Sequence, residues 1–235
     1  MDIKKLLNLL NLISKKYNIS QPYCCGGVAR DLYMNSLDKI HDIDITTGDS
    51  DVNTLANEFN NSLLTRFNTK LINMNDGHVS IILSNIKVDF SSHFISKSLQ
   101  NSNYTSLQKE MYSRDFTCNS LLASLDLNNI IDITSKGKED IDNKILKTCL
   151  DPSITISDDP KRIPRILYLA SKLNFEIDNE LIYYIKNNNN LFDLCEKEYI
   201  IKKIKKAYNF NSKLTIYNIK RLGLYNNIKN YVGAL

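Results

Sequence analysis

The sequence predicts an α+β fold: a mixed β-sheet with flanking helices, followed by an all-helical remainder. Two observations predict it. Up to a join near residues 151–157, short runs of β-forming or alternating residues interleave with helical spacing; from Asp158 onward, helical spacing alone remains. At 235 residues the chain is long enough to bury a real core as one large or two small domains.

The elements follow in order. Residues 2–17 alternate Leu/Ile clusters with Lys and Asn, the pattern of an amphipathic helix. Strands are expected at 23–25, 43–47, 63–67, 79–83 and 86–91, and helices at 28–34 and 51–61. Ser84-Asn85 reads as a hairpin turn. Residues 95–112 lack a period and read as a loop ending in a short helix. Beyond it, 116–125 looks helical, 130–134 a strand, 139–143 helical and 145–148 a short strand. Asp158 or Asp159 is expected to cap a helix with Pro160 in its first turn. Ile163, Ile166, Leu167, Ala170 and Leu173 continue that helix, and Pro164 inside it should kink it. Helices near 178–187, 196–208, 213–222 and 225–231 complete the chain.

Composition excludes several classes. No run approaches the roughly 18 apolar residues that span a bilayer, and residues 1–17 lack the continuous apolar stretch of a signal peptide. The five cysteines (Cys24, Cys25, Cys118, Cys149, Cys195) form no C-x-x-C pair, and three histidines complete no zinc arrangement. Reduced thiols and a cytoplasmic location are expected. Charge is uneven: residues 1–180 hold 20 Lys+Arg against 23 Asp+Glu, whereas residues 181–235 hold 10 against 3. A basic end beside an acidic one suits an enzyme that grips a polyanion, though any one lysine equally reads as a solvated helix face.

The chemistry concentrates at Gly26-Gly27-Val28-Ala29-Arg30-Asp31 and, about a dozen residues on, Asp42-Ile43-Asp44. In a strand, side chains at i and i+2 share a face, so Asp42 and Asp44 stand together while Ile43 and Ile45 enter a core. Adjacent carboxylates repel unless a cation sits between them, and hard oxygen ligands select Mg²⁺ or Mn²⁺. Gly-Gly lets backbone N–H groups approach an anion such as a triphosphate, and Arg30 can add a charge-assisted contact. The combination points to nucleotide and metal.

With these blocks the sequence resembles the nucleotidyltransferase superfamily, and within it the class II (bacterial-type) CCA-adding tRNA nucleotidyltransferases and bacterial poly(A) polymerases. Further blocks carry the resemblance: Ser113-Arg114-Asp115-Phe116-Thr117-Cys118-Asn119, the stretch from Asp132 to Asp151-Pro152, and Asp158-Asp159-Pro160-Lys161-Arg162-Ile163-Pro164-Arg165. Their order and spacing are more specific than any one motif.

The resemblance implies a catalytic head over 1–152, a helical neck over 153–195 that recognises the base, and a basic partial body over 196–235. It implies that Gly26, Gly27, Arg30 and Asp31 bind nucleotide, and that Asp42 and Asp44 ligate two Mg²⁺ ions (Mn²⁺ being possible). Asp89 falls where the family carries an acidic residue, and it reads equally as a solvent-facing strand residue. Asp115 is expected at the ribose, Arg114 at the phosphates or sugar, Arg165 at the triphosphate, and Asn119 in orienting the loop. Asp159 and Arg162, at i and i+3, are expected to share a helix face and offer an acceptor beside a fork of donors. That edge complements cytosine and adenine but not uracil or guanine.

Four departures stand out. Ser113 replaces a family arginine, Tyr168 replaces another, Phe94 stands where a basic residue is frequent, and the loop of 95–112 is short. Arg221-Leu222-Gly223-Leu224 resembles the start of the family's body domain, so a short form lacking most of the body and the tail is expected. Lys202, Lys203, Lys205, Lys206, Lys213, Lys220 and Arg221 are then expected to carry RNA affinity, with a second protomer as another way to enlarge the surface. The activity implied is template-independent addition of C and A, from CTP and ATP, to an RNA 3′ end, most plausibly a tRNA acceptor end. The alternatives are poly(A) polymerase or partial CC- or A-addition and, more distantly, nucleotidyl transfer to a small molecule or protein, or a non-enzymatic RNA-binding remnant.

Overall fold

The structure is a computed structural model that describes residues 3–37, 40–64, 69–73, 78–91 and 95–232. The chain folds into two compact units, residues 1–114 with 118–138 and residues 115–117 with 139–235.

The first unit opens with α1 (Ile3–Lys16), which buries Leu6, Leu7, Leu10 and Ile13 on one stripe. Then come β1 (Tyr23–Cys25), α2 (Gly27–Tyr33), β2 (Asp42–Thr46), α3 (Asp51–Leu64), β3 (Thr69–Asn73), β4 (Val79–Leu83), β5 (Ile86–Phe90), α4 (Ser106–Tyr112), β6 (Leu121–Ser124) and β7 (Ile130–Asp132). The strands form one seven-stranded sheet in the order β3-β4-β5-β2-β1-β6-β7. Every neighbouring pair is antiparallel except β2 and β5, which run parallel. Ile43, Ile45, Val88 and Phe90 are buried, and Phe59 of α3 packs on Phe90 with ring centroids 5.8 Å apart. The alternation of β2 thus works as expected: its isoleucines form core, and its aspartates take the opposite face.

Two expectations fail here. The strand expected at 63–67 is not one at its start, because Leu63 and Leu64 finish α3; residues 65–68 lie outside the described part. Val52, Leu55, Ala56, Phe59 and Leu63 all point inward at three- and four-residue steps, so Leu63 completes a helical stripe. The helix expected over 116–125 is a short 3₁₀ turn (Thr117–Asn119) followed by β6. Between β1 and β7, β6 is paired on both edges and buried through Leu121, Leu122 and Ala123, so its sequence lacks a visible two-residue period. The short helix expected to close the 95–112 loop is α4, which carries a capping box between Thr105 and Gln108.

The second unit comprises α5 (Gly137–Asp142, whose first two residues belong to the first unit), β8 (Ile145–Leu146), α6 (Pro152–Asp158), α7 (Arg162–Leu173), β9 (Glu176–Ile177), α8 (Asn179–Asn187), α9 (Lys197–Arg221) and α10 (Tyr225–Val232). Its core runs along α7, whose Ile163, Ile166, Leu167 and Ala170 are buried, and along α9, whose Ile200, Ile204 and Ala207 are buried.

Two helix expectations are corrected and a third holds. Asp158 ends α6 rather than opening a helix, and Asp159 lies in the extended link between α6 and α7. The actual cap of α6 is Asp151, which accepts from the Ser153 N–H with Pro152 just inside the helix. Pro164 is the third residue of α7, where its missing N–H has no partner to lose, so it causes no kink. The two helices expected at 196–208 and 213–222 meet at a kink within α9 at Asn211, whose side chain caps the second by accepting from the Leu214 N–H at 3.0 Å.

Candidate functional site

In the first unit the site is built on β2. Asp44 is the register partner of Asp89 across the parallel β2–β5 pair, and Asp42 is the partner of Lys87. Register partners share a face, so Asp42, Asp44, Asp89 and Lys87 point the same way. Asp42 is exposed; Asp44 and Asp89 are half-buried. Asp89 is already held: Ser80 Oγ donates to its Oδ1 at 2.5 Å and Lys87 Nζ to its Oδ2 at 2.6 Å. Among the described residues no group of three or more His, Cys, Asp and Glu side chains could hold a metal ion.

Gly26 sits between β1 and α2 at φ 65° and ψ −127°. A Cβ there would lie 2.7 Å from Asp44 Oδ2 and 3.5 Å from Arg114 Nη1. Arg114 is aimed by its neighbours. Its Nη2 donates to Glu110 Oε1 at 3.0 Å and to Cys25 Sγ at 2.8 Å. Glu110 Oε2 in turn accepts from Thr46 Oγ1 at 2.6 Å, two residues along the strand from Asp44. Burial opposes the Arg114 charge, but the carboxylates of Glu110 and Asp44 beside it favour the protonated guanidinium. Cys25, opposite Asp44 on β1, is fully buried; burial first and the nearby carboxylates next push its thiol well up, so it stays neutral.

Arg30 already has partners within the first unit. It is 3% exposed, donates from Nε and Nη2 to Asp31 Oδ1 (2.8 and 2.6 Å), and from Nη1 to Asn119 Oδ1 at 2.6 Å. Arg30 and Asp31 thus bind one another, and Asn119 ties the turn before β6 to α2.

In the second unit, Asp115 and Arg165 are paired. Arg165 Nε (2.8 Å) and Nη2 (2.5 Å) both reach Asp115 Oδ2, while Asp115 Oδ1 accepts from the Phe116 N–H at 2.9 Å. The carboxylate of Asp115 is the leading cause that raises the Arg165 pKa. The expected shared helix face of Asp159 and Arg162 is not formed, because Asp159 precedes α7. Its Oδ1 accepts from the Lys161 N–H at 3.0 Å, and its carbonyl accepts from the Arg162 N–H at 3.1 Å. Arg162 is 7% exposed and donates from Nη1 to the Thr155 carbonyl at 3.0 Å.

Of the basic residues expected at RNA, Lys202, Lys205, Lys206, Lys213 and Lys220 are exposed on α9. Lys203 is half-buried, and Arg221 is held by Glu176 at 2.7 Å and Asn179 at 3.1 Å. Phe94 lies outside the described residues. Sequence reading missed Glu110, Cys25 and Tyr199, and it named Lys203 only as one of the basic residues for RNA. Glu110 and Arg114 were findable as an i,i+4 ion pair; the setting of Lys203 depends on α7 and was not.

The fold and this clustering define a nucleotidyltransferase-type head joined to a helical unit. Residues 22–147 match the family model described as the poly(A) polymerase head domain, more than half of the chain, and the chain belongs to that family. The CCA-adding enzyme of Staphylococcus epidermidis is 26% identical over 191 residues, covering 78% of this chain and 45% of that protein. The tRNA nucleotidyltransferase cca1 of Schizosaccharomyces pombe is 40% identical over 74 residues, 32% of this chain and 15% of that protein. The Bacillus stearothermophilus CCA-adding enzyme in complex with CTP superposes with a TM-score of 0.75 at 22% identity, over 97% of this chain and 54% of that one. That likeness establishes the fold. The chain spans about half the length, or less, of the curated relatives it matches. Among the described residues no helix is long and apolar enough to cross a membrane.

Proposed function

We propose that this protein adds C and A nucleotides to an RNA 3′ end without a template, as in tRNA CCA addition or repair, by attack of the RNA 3′-hydroxyl on the α-phosphate of CTP or ATP with release of pyrophosphate. The observation that carries the reading is the placement of Asp42, Asp44 and Asp89 on one face of adjacent parallel strands, with Gly26 turned against Asp44. The names of the curated relatives point the same way.

Asp42 and Asp44 fit Mg²⁺ or Mn²⁺ by donor chemistry: two oxygen-bearing carboxylates side by side, with no soft ligand required. When bound, such ions would lower the pKa of the attacking hydroxyl and neutralise the triphosphate. The chain's own residues would do the rest. Gly26 leaves room beside Asp44, and Arg114, aimed by Glu110, would meet a phosphate or sugar oxygen. Asp89, held by Lys87 and Ser80, would hold the acidic face in place. Asp115 would accept from the ribose and Arg165 would meet the triphosphate on exchanging their mutual pair. Asp159 and Arg162 would read the base once Arg162 leaves the Thr155 carbonyl. The head, neck and body division at 152 and 195 belongs to the same reading, and the exposed lysines of α9 would meet the RNA backbone.

Incorporation from each single NTP and from mixtures, on tRNA ending before CCA and on oligo(A), tests the reading. C and A added to tRNA in order support it. Long A-tracts on oligo(A) would move the protein to poly(A) synthesis, and no RNA extension at all would overturn it.

A further inference from the structure

Lys203 has a setting unlike the other lysines of α9. Its Nζ lies 5.0 Å from the centroid of the Tyr168 ring on α7 and 5.3 Å from that of Tyr199 on α9. Phe210 packs edge-on against Tyr168 with ring centroids 5.9 Å apart. The charged groups facing Lys203 are Arg165 from α7, Lys202 and Lys206 from α9, and Asp115. Lys161 stands over the other ring, with its Nζ 6.0 Å from the Tyr199 centroid. Asp115 is the carboxylate that favours the Lys203 charge, and Arg165 already occupies it.

A cation held over aromatic faces among like charges, with the nearby carboxylate spent, is an anion site in waiting. The rings supply some attraction, but they cannot neutralise a charge. A phosphate would remove the repulsion among Arg165, Lys202, Lys203 and Lys206 at once.

Resting on the proposed function, we propose that Lys203, caged by Tyr168 and Tyr199, binds a phosphate group in company with Arg165, either of the incoming nucleotide or of the RNA end. Desolvation first, then Arg165, Lys206 and Lys202, pull the Lys203 pKa down to about 8. Its charge is therefore lost within the range where most lysines remain cationic, and an anion bound there favours the charged form.

The direct test is calorimetric binding of inorganic tripolyphosphate, which needs no turnover and so is independent of whether the chain extends RNA. For the wild-type protein, affinity should fall about tenfold more between pH 7 and pH 9 than it does for Lys203→Arg, whose guanidinium stays charged. Lys203→Gln should bind at least about tenfold more weakly at pH 7 and lose the extra pH dependence. In RNA-extension assays, Lys203→Gln raising the KM for CTP and ATP assigns the site to the triphosphate, and raising the KM for RNA alone assigns it to the RNA phosphate. The proposal is overturned if Lys203→Gln binds tripolyphosphate as tightly as wild type, or if Lys203→Arg shows the same pH profile as wild type.

Discussion

Gly26 and Asp44 are pressed together: a Cβ on Gly26 would stand 2.7 Å from Asp44 Oδ2, and the Gly26 backbone holds φ at 65°. Both facts require glycine, one for space and one for conformation. Gly26→Ala should cost about 1–3 kcal/mol in urea unfolding and displace the carboxylate, lowering transfer further than the stability loss explains. Unchanged stability and activity would mean that the turn relaxes freely.

Asp42→Ala or Asp44→Ala should reduce nucleotide transfer to background while the unfolding midpoint stays near that of wild type, because both carboxylates lie on the face of β2 opposite its isoleucine core. Near-normal turnover in Mg²⁺ for either variant would defeat the assignment.

Glu110 bridges Thr46 and Arg114 from a position 3% exposed. Glu110→Ala leaves a largely buried guanidinium without its carboxylate and should destabilise the protein by about 3–5 kcal/mol. Glu110→Gln keeps an acceptor oxygen for Arg114 and turns an amide N–H toward Thr46 Oγ1, and should cost less. Equal unfolding curves for wild type and Glu110→Ala would remove Glu110 from the role of aiming Arg114.

Arg162→Ala should relax the preference for CTP and ATP over UTP and GTP by about 1–3 kcal/mol, the worth of a good bidentate base contact, with a smaller effect on overall triphosphate affinity. Single-NTP assays decide this. An unchanged base preference would confine Arg162 to its bond with the Thr155 carbonyl.

Burial pushes the Cys24 thiol up to about 12 and the Cys195 thiol to about 11, and raises Cys25 as well. The thiolate is the nucleophile, so iodoacetamide at pH 9 should leave these three unlabelled in the folded protein and label them in urea. The sign for stability follows. The folded protein keeps protons that the unfolded chain releases near about 8.5, so stability should fall as pH rises above that value. Mass-spectrometric labelling and pH-dependent unfolding check the two statements separately.

Much of this was legible in the chain because local patterns carry it. The alternation in Asp42-Ile43-Asp44-Ile45 placed two carboxylates on one face, and the Gly-Gly turn, the hairpin at Ser84-Asn85 and the amphipathic helices of both units follow from short-range chemistry. The two elements assigned the wrong type share a cause. Leu63 and Leu121 to Ala123 sit in short apolar runs with no period of their own, and whether such a run becomes helix or central strand depends on the neighbours that cover it.

The sequence by itself determined the fold class, the acidic strand, the glycine turn and the basic C-terminal helix, since each rests on residue type and spacing within a few positions. Only the tertiary structure decided which partners the charges take: Arg30 with Asp31 and Asn119, Asp115 with Arg165, Asp89 with Lys87 and Ser80, and Lys203 between two tyrosines. Apart from neighbours such as Arg30–Asp31, Lys87–Asp89 and Lys203–Tyr199, these pairings join residues separated in the chain. A charge settles on whichever partner the packing of strands and helices brings within a few ångströms, and that distance is written nowhere in the local pattern.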